Sequence, residues 1–235
     1  MTVNIDDRTE MLLSQAVALA QSGKMKSTVH FAQDNLYILN MDKTICVRFA
    51  SPGSSSFSFF ANDYESRRME VQDGRVTFNS GRGGYQRSKS CPVPKTTAED
   101  VQAAWKRYSP DKSNSFSLGS EVMSLLDEGL SHVEVSRKEG VKLVQRDIYT
   151  GAVVEVQIPS SGGLLNTQAD GSPFPVFGLR TADLQALFTF RGTLFFYIQP
   201  EGRNWVYIED SGIGMAAVLT TCLYDEMAYL AEAKE

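Results

Sequence analysis

Four times along the 235-residue chain, a short strand with alternating apolar residues runs directly into a helix-start signal. The first is Val3-Asn4-Ile5 followed by Asp7, with Glu10 three residues on, which reads as a helix cap in a capping box. The second is Phe57-Ser58-Phe59 followed by Asn62 or Asp63. The third is Phe116-Ser117-Leu118 followed by Ser120, and the fourth is Phe177-Gly178-Leu179 followed by Thr181. Alternation with period two marks a half-buried strand, and the capping residue then switches the period to that of a helix. Four copies of one supersecondary unit restrict the chain to an architecture built by repetition.

The expected helices differ in strength. Met11, Leu12, Leu13, Ala16, Val17, Leu19 and Ala20 give the first a broad apolar face ending at Gly23. The second is expected over Asn62 to Met69. Val122, Met123, Leu125, Leu126 and Leu130 make a face for the third, and Leu184, Leu187 and Phe188 for the fourth, over Ala182 to Phe190. Strands separated by turn residues follow each helix. They are Thr28–Phe31, Leu36–Leu39 and Ile45–Phe49; then Arg75–Phe78 and Tyr85–Val93; then Val133–Ser136, Val141–Gln145 and Val153–Ile158. The last group is Leu194–Ile198, Trp205–Glu209 and Met215–Leu223. The order strand, helix, several strands is thus traversed four times.

Residues 94–114 separate the two halves and hold a central amphipathic stretch with Val101, Trp105 and Tyr108. The expected organisation is a domain over 1–94, a linker over 95–114 and a second domain over 115–235. A Gly-, Ser- and Pro-rich loop over Pro159–Pro175 is expected to be mobile.

Charge is unevenly spread. Residues 1–95 carry 12 basic and 9 acidic side chains, and residues 96–235 carry 11 and 19. The net charge of −5 excludes attraction of nucleic acid by bulk charge, so any such binding must rely on how the basic groups are placed. The three cysteines, Cys46, Cys91 and Cys222, are widely spaced with no CxxC pair, which predicts reduced packing thiols. Met1 to Asp7 is polar and acidic, lacking the basic and apolar stretches of a secretory signal, and no apolar run reaches the length of a membrane span. A cytoplasmic protein without membrane contact is expected.

Chemistry-bearing motifs are sparse. There is no GxSxG, HExxH, P-loop or EF-hand loop, and His30 and His132 have no ligand at metal spacing. Both histidines read as structural or solvent-facing. Gly212-Ile-Gly-Met-Ala-Ala217 fits a dinucleotide fingerprint, but only 18 residues follow it, too few for the helix, strand and acidic residue that complete such a unit. It reads as a turn into a last strand. Gly81-Arg82-Gly83-Gly84 has the glycines to cradle a phosphate, yet no helix start follows, so a hairpin turn is expected. These absences predict a protein that is not an enzyme and uses no cofactor.

Two halves, each strand-helix-strands twice over, joined by a crossing linker, resemble the DNA polymerase sliding clamps. The closing stretch carries most of the likeness: Phe177-Gly-Leu-Arg-Thr-Ala-Asp-Leu, Gly192-Thr-Leu-Phe-Phe-Tyr-Ile, Glu201-Gly and Val206-Tyr-Ile. Two domains in this length are similar to the T4-type bacteriophage clamps and the eukaryotic-archaeal trimeric clamps. The resemblance implies an α+β fold of two similar domains, each with helices on one face of antiparallel sheet, in a homotrimeric ring of six domains around double-stranded DNA. It also implies a DNA polymerase and a clamp loader as partners. Candidate DNA-binding residues are Lys24, Lys26, Arg67, Arg68 and Arg191, with Arg67 and Arg68 expected on the second helix. Candidate partner-binding residues are Trp105, Tyr108, Met227, Tyr229 and Leu230. The first helix has Ser14, Gln15, Gln21 and Ser22 on its polar face, and the third has Glu121, Asp127 and Glu128, a departure from strongly basic inner helices. The alternatives are a non-ring processivity or scaffold protein, and an unrelated β-rich structural protein.

Overall fold

The computed structural model describes residues 2–21, 25–51, 55–112, 115–136, 141–147, 149–159, 177–190, 192–199, 204–210, 212 and 214–221. The chain divides into two compact units, Met1–Ser109 and Pro110–Glu235. The first contains β1 (Thr2–Asn4), α1 (Asp7–Gln21), β2 (Ser27–Ala32), β3 (Asn35–Asn40) and β4 (Ile45–Ala50). It then repeats the theme with β5 (Phe57–Phe60), a 3₁₀ turn (Ala61–Asp63), β6 (Arg68–Gln72), β7 (Arg75–Arg82) and β8 (Tyr85–Pro92), and closes with α2 (Ala98–Trp105).

The leading strand of each copy leaves its own copy. β1 pairs antiparallel with β6, giving the order β1-β6-β7-β8, while β5 pairs antiparallel with β2, giving β5-β2-β3-β4. Each half therefore completes the sheet of the other. Leu12, Leu13, Ala16, Leu19 and Ala20 of α1 are buried, and α1 lies against the 3₁₀ turn, the two helical slots of the unit side by side. Phe59 meets Phe78 edge-on at 5.4 Å between ring centroids, and Tyr64 meets Phe78 at 5.9 Å, joining the two sheets through aromatic contacts.

The second unit has the same plan. It contains β9 (Ser115–Leu118), a 3₁₀ helix (Ser120–Leu125), β10 (His132–Ser136), β11 (Val141–Arg146) and β12 (Val153–Ile158), then β13 (Phe177–Arg180), α3 (Thr181–Thr189), β14 (Leu194–Tyr197), β15 (Trp205–Asp210) and β16 (Met215–Thr220). Again the leading strands exchange. β13 joins β10 in the order β12-β11-β10-β13, and β9 joins β14 in the order β16-β15-β14-β9. Every strand pair described within the units is antiparallel, so the fold is α+β, as expected.

Several local expectations need correction. The second helix does not form. After the 3₁₀ turn, Tyr64 is extended (φ −63°, ψ 126°), and Arg68–Gln72 is a strand. Met69 there is fully buried while Arg68 and Glu70 are exposed, so β6 alternates as a half-buried strand does. Arg67 and Arg68 are consequently not helical residues. The third helix is shorter than expected and of 3₁₀ type. Leu126 is extended (φ −95°, ψ 148°), and Gln145, fully buried, accepts the Asp127 N–H and donates to the Asp127 carbonyl, fixing the chain where a helix would continue. The first helix is capped by Asp6, whose Oδ1 accepts the Thr9 N–H at 2.7 Å, one residue before the expected Asp7. The capping box belongs instead to α2, where Thr97 and Asp100 satisfy each other's backbone N–H. Glycines 212 and 214 lead into β16, a strand, and Gly83 and Gly84 form the β7–β8 turn while Gly81 and Arg82 end β7. The Pro159–Pro175 loop lies outside the described residues beyond Pro159. Cys46 and Cys91 are free thiols, and burial pushes Cys46 up to about 12.

Candidate nucleic-acid and partner interface

Arg67 and Arg68 are neighbours with different surroundings. Arg67 forms ion pairs with Asp7 and Glu10 of the first turn of α1, and the hydrogen bonds it donates to Glu10 and Asp7 raise its pKa further. Its charge is balanced where it lies. Arg68 is turned away from Met69 and stands on the exposed face of β6, in register with Asn79 of β7, which is itself opposite Ser88 of β8. Its guanidinium makes no hydrogen bond or ion pair among the described residues. Lys26 is exposed just before β2. Lys24 and Arg191 lie outside the described residues. Beyond its first turn, the solvent-facing side of α1 presents Met11, Ser14 and Ala18, none of them charged.

The Arg68–Asn79–Ser88 row opens into a cleft of about 710 Å³ on the exposed face of the β6–β8 sheet. Asn79 Nδ2 donates to Glu70 Oε1 at 3.0 Å, and Ser88 Oγ donates to Asn79 Oδ1 at 2.7 Å, so one wall is preorganised by its own hydrogen bonds. Arg87 also lines the cleft and donates one bond to Glu65 at 3.1 Å. At the end of the hairpin, Tyr85 is 84% exposed beside Gly83 and Gly84, both at positive φ, and Arg82 is exposed with no described partner. These residues escaped sequence reading because a Gly-rich turn bears on function only once the faces of its flanking strands are known.

The linker aromatics are placed by α2. Across four strands, Ser58, His30, Tyr37 and Arg48 form one row, in register through the β5–β2, β2–β3 and β3–β4 pairs. Trp105 meets this row, 5.8 Å from the Tyr37 ring and with the Arg48 guanidinium 5.2 Å above its own. It is only 7% exposed. Tyr108 stands beside it, ring centroids 6.3 Å apart, and is 36% exposed. Met227, Tyr229 and Leu230 lie outside the described residues. His30, fully buried, is held between Thr28 Oγ1 at 2.7 Å and Ser58 Oγ at 2.8 Å, and burial lowers its pKa to about 4 against a small opposing effect of Asp100. It is a core residue in the middle of β2. His132 opens β10 with Nδ1 2.8 Å from Ser131 Oγ. No group of His, Cys, Asp and Glu suited to a metal ion occurs among the described residues, and none of their helices is long and apolar enough to cross a membrane.

Among the described residues, β8 is hydrogen-bonded to β7 alone and β12 to β11 alone, so each stands at the edge of its sheet. β8 carries Arg87 and Lys89, which meet Asp63 and Glu65, and β12 carries the exposed Glu155.

No protein-family model matches the chain, and no curated protein matches it in sequence. Solved structures do match in fold. The DNA polymerase III subunit beta of Borrelia burgdorferi superposes with a TM-score of 0.65 at 10% identity, over 95% of this chain and 64% of that one. The Helicobacter pylori beta clamp, solved bound to a DNA ligase peptide, gives 0.63 at 10% identity, over 94% and 65%. A chain of the PCNA2-PCNA3 complex from Sulfolobus tokodaii gives 0.55 at 9% identity, over 94% of this chain and 99% of that one. The chain thus has the sliding-clamp fold. It spans about two thirds of the bacterial clamps and nearly the whole of the archaeal subunit.

Proposed function

We propose that this protein is a sliding clamp, a non-catalytic ring that encloses duplex DNA and tethers a DNA polymerase. The observation that carries this reading is the strand exchange repeated in both units, together with a clamp-fold match across nearly the full chain. Two units per chain and full-length coverage of an archaeal clamp subunit favour three chains, hence six units, in the ring. The contacts would be heterologous and close by three-fold rotation. β8 of one chain and β12 of the next supply the edges; pairing the six residues of β12 would add about six backbone hydrogen bonds. Glu155 would meet the basic side of β8.

Double-stranded DNA would be held by enclosure more than by charge, contacted without sequence preference by Lys26 and by Lys24 and Arg191. Arg67 would contribute only what Asp7 and Glu10 leave. Partner peptides would dock where Tyr108 emerges beside Trp105, with Met227, Tyr229 and Leu230 of the tail. A clamp loader, a cytoplasmic location and a T4-type bacteriophage source belong to the same reading.

The test is topological. The protein should sediment at about three times its 26.0 kDa mass, remain on nicked circular DNA through gel filtration, and be lost when that DNA is linearised. A monomer that stimulates polymerase equally on both forms would replace the ring with a non-ring processivity factor.

A further inference from the structure

The first residues of the second unit lie on the face of the β14–β15 pair that is turned away from the core. Tyr197 and Tyr207 are cross-strand partners there, their rings 6.1 Å apart, and Glu209 stands next to them opposite Phe195. The other face of the same strands carries Phe196 and Ile208, both fully buried. Lys112 lies over the outer patch. Its ammonium is 2.6 Å from Glu209 Oε1 and 5.4 and 5.5 Å from the centres of the Tyr197 and Tyr207 rings. Gln199, only 3% exposed, grips the backbone of the preceding residue: it accepts the Asp111 N–H at 2.9 Å and donates to the Asp111 carbonyl at 3.2 Å. It donates as well to the Tyr197 carbonyl at 2.9 Å, which ties it to the end of β14.

We propose that Tyr197, Tyr207, Glu209 and Gln199 form a latch that closes on Asp111 and Lys112 and positions the end of the linker. Two aromatic rings and a carboxylate around one ammonium make a cage suited to an amine cation, and the two-point amide grip fixes the backbone that carries it. Asp111 and Lys112 bring no branched aliphatic or aromatic side chain, so the hold on them is largely electrostatic and opens locally at less cost than a packed strand. Its role rests on the docking surface proposed above. Tyr108 precedes Lys112 by four residues, and a linker already held at Lys112 has less conformational entropy to lose when a peptide docks at Tyr108. The latch itself requires neither a partner nor a closed ring.

The test is limited trypsin digestion of the full chain. Cleavage after Lys112 is compared by mass spectrometry with cleavage after Arg107, an exposed residue, in the same sample. A latched Lys112 is closed to the protease, so the ratio of the two rates follows the open fraction. Glu209→Gln should raise the ratio by about threefold to tenfold, the range of an exposed ion pair combined with a cation–ring contact. Tyr197→Leu should raise it by a smaller factor. Lys112→Arg, still a trypsin site and still a cation, should stay protected. Adding roughly 0.5 M NaCl should raise the ratio in the parent and leave that of Glu209→Gln nearly unchanged, a difference that a purely structural role of Glu209 does not produce. Matched urea unfolding curves would show that the variants fold. In primer extension, Glu209→Gln should raise the protein concentration needed for half-maximal polymerase stimulation several-fold, and Lys112→Arg should not. The latch is overturned if the ratio is the same in the parent and Glu209→Gln, or if salt moves both alike. An opened latch with unaltered stimulation overturns the positioning role. A parent that stimulates no polymerase refutes the docking reading, while the digestion still decides the latch.

Discussion

His30 should make the protein sensitive to mild acid. Its imidazole is fully buried and its pKa falls from 6.5 to about 4 because the charged form is costly in the interior. The sign follows from linkage: below pH 6.5 the unfolded chain takes up a proton that the folded chain refuses until about pH 4. Stability from this residue is complete above pH 6.5 and declines as the pH falls toward 4. The shift of about 2.5 pH units corresponds to roughly 3 kcal/mol in total, of which about 2 kcal/mol is lost by pH 5. Urea unfolding at pH 7.5 and pH 5.0 would measure it, with His30→Gln as the comparison. Glutamine keeps a donor and an acceptor for Ser58 and Thr28 but cannot be protonated. The variant should start less stable at pH 7.5, through poorer fit, yet lose about 2 kcal/mol less between the two pH values. Groups remote from His30 contribute equally to both proteins and cancel. Equal losses in the parent and the variant would refute the assignment of the pH response to His30.

Gly192 stands at φ +102°, and a Cβ there would lie 2.0 Å from Asp210 Oδ2. Because Asp210 Oδ1 is held by the Gly212 N–H, the carboxylate cannot swing away freely, and Gly192→Ala should destabilise the second unit by at least about 2 kcal/mol in urea unfolding. Glu155→Lys places a positive charge opposite the basic side of β8 in the proposed ring. It should raise the dissociation constant of the trimer in analytical ultracentrifugation, more strongly at low salt, while the monomer unfolds as before.

The repeated strand-helix-strands theme was legible because period-two alternation followed by a capping residue is a local signal. Nearly every strand of both units stands within a residue or two of where the alternation placed it. The exchange of β1 and β5 was not legible, since which strands pair depends on contacts between residues tens of positions apart. The segment around Arg68 was misread for a different reason. Arg-Arg-Met-Glu after an Asn-Asp pair has good helix formers and a helix start, and the full burial of Met69 beside its cross-strand partner Phe78 overrides that preference. With β6 a strand, Arg67 and Arg68 have different surroundings, Arg67 paired with Asp7 and Glu10 and Arg68 on the exposed face of the sheet. Trp105 and His30 share a further lesson. Thr28 and His30 alternate with Val29 and Phe31 as a solvent-facing row would, but α2 covers that row. A capped helix in the linker was visible in the sequence; the sheet face it would cover was not.

The strand exchange also sets an order of events during synthesis. β1 leaves the ribosome well before its partner β6, which lies more than sixty residues later, so β1 must wait without a sheet until the second half of the unit has been made. Neither half of a unit can close its own sheet, and a chain halted between β4 and β5 would present open edges to any other strand nearby. A deletion of β1 alone would do the same to finished protein, baring the edge of β6. The three residues of β1 thus both complete a sheet and cover the edge of β6.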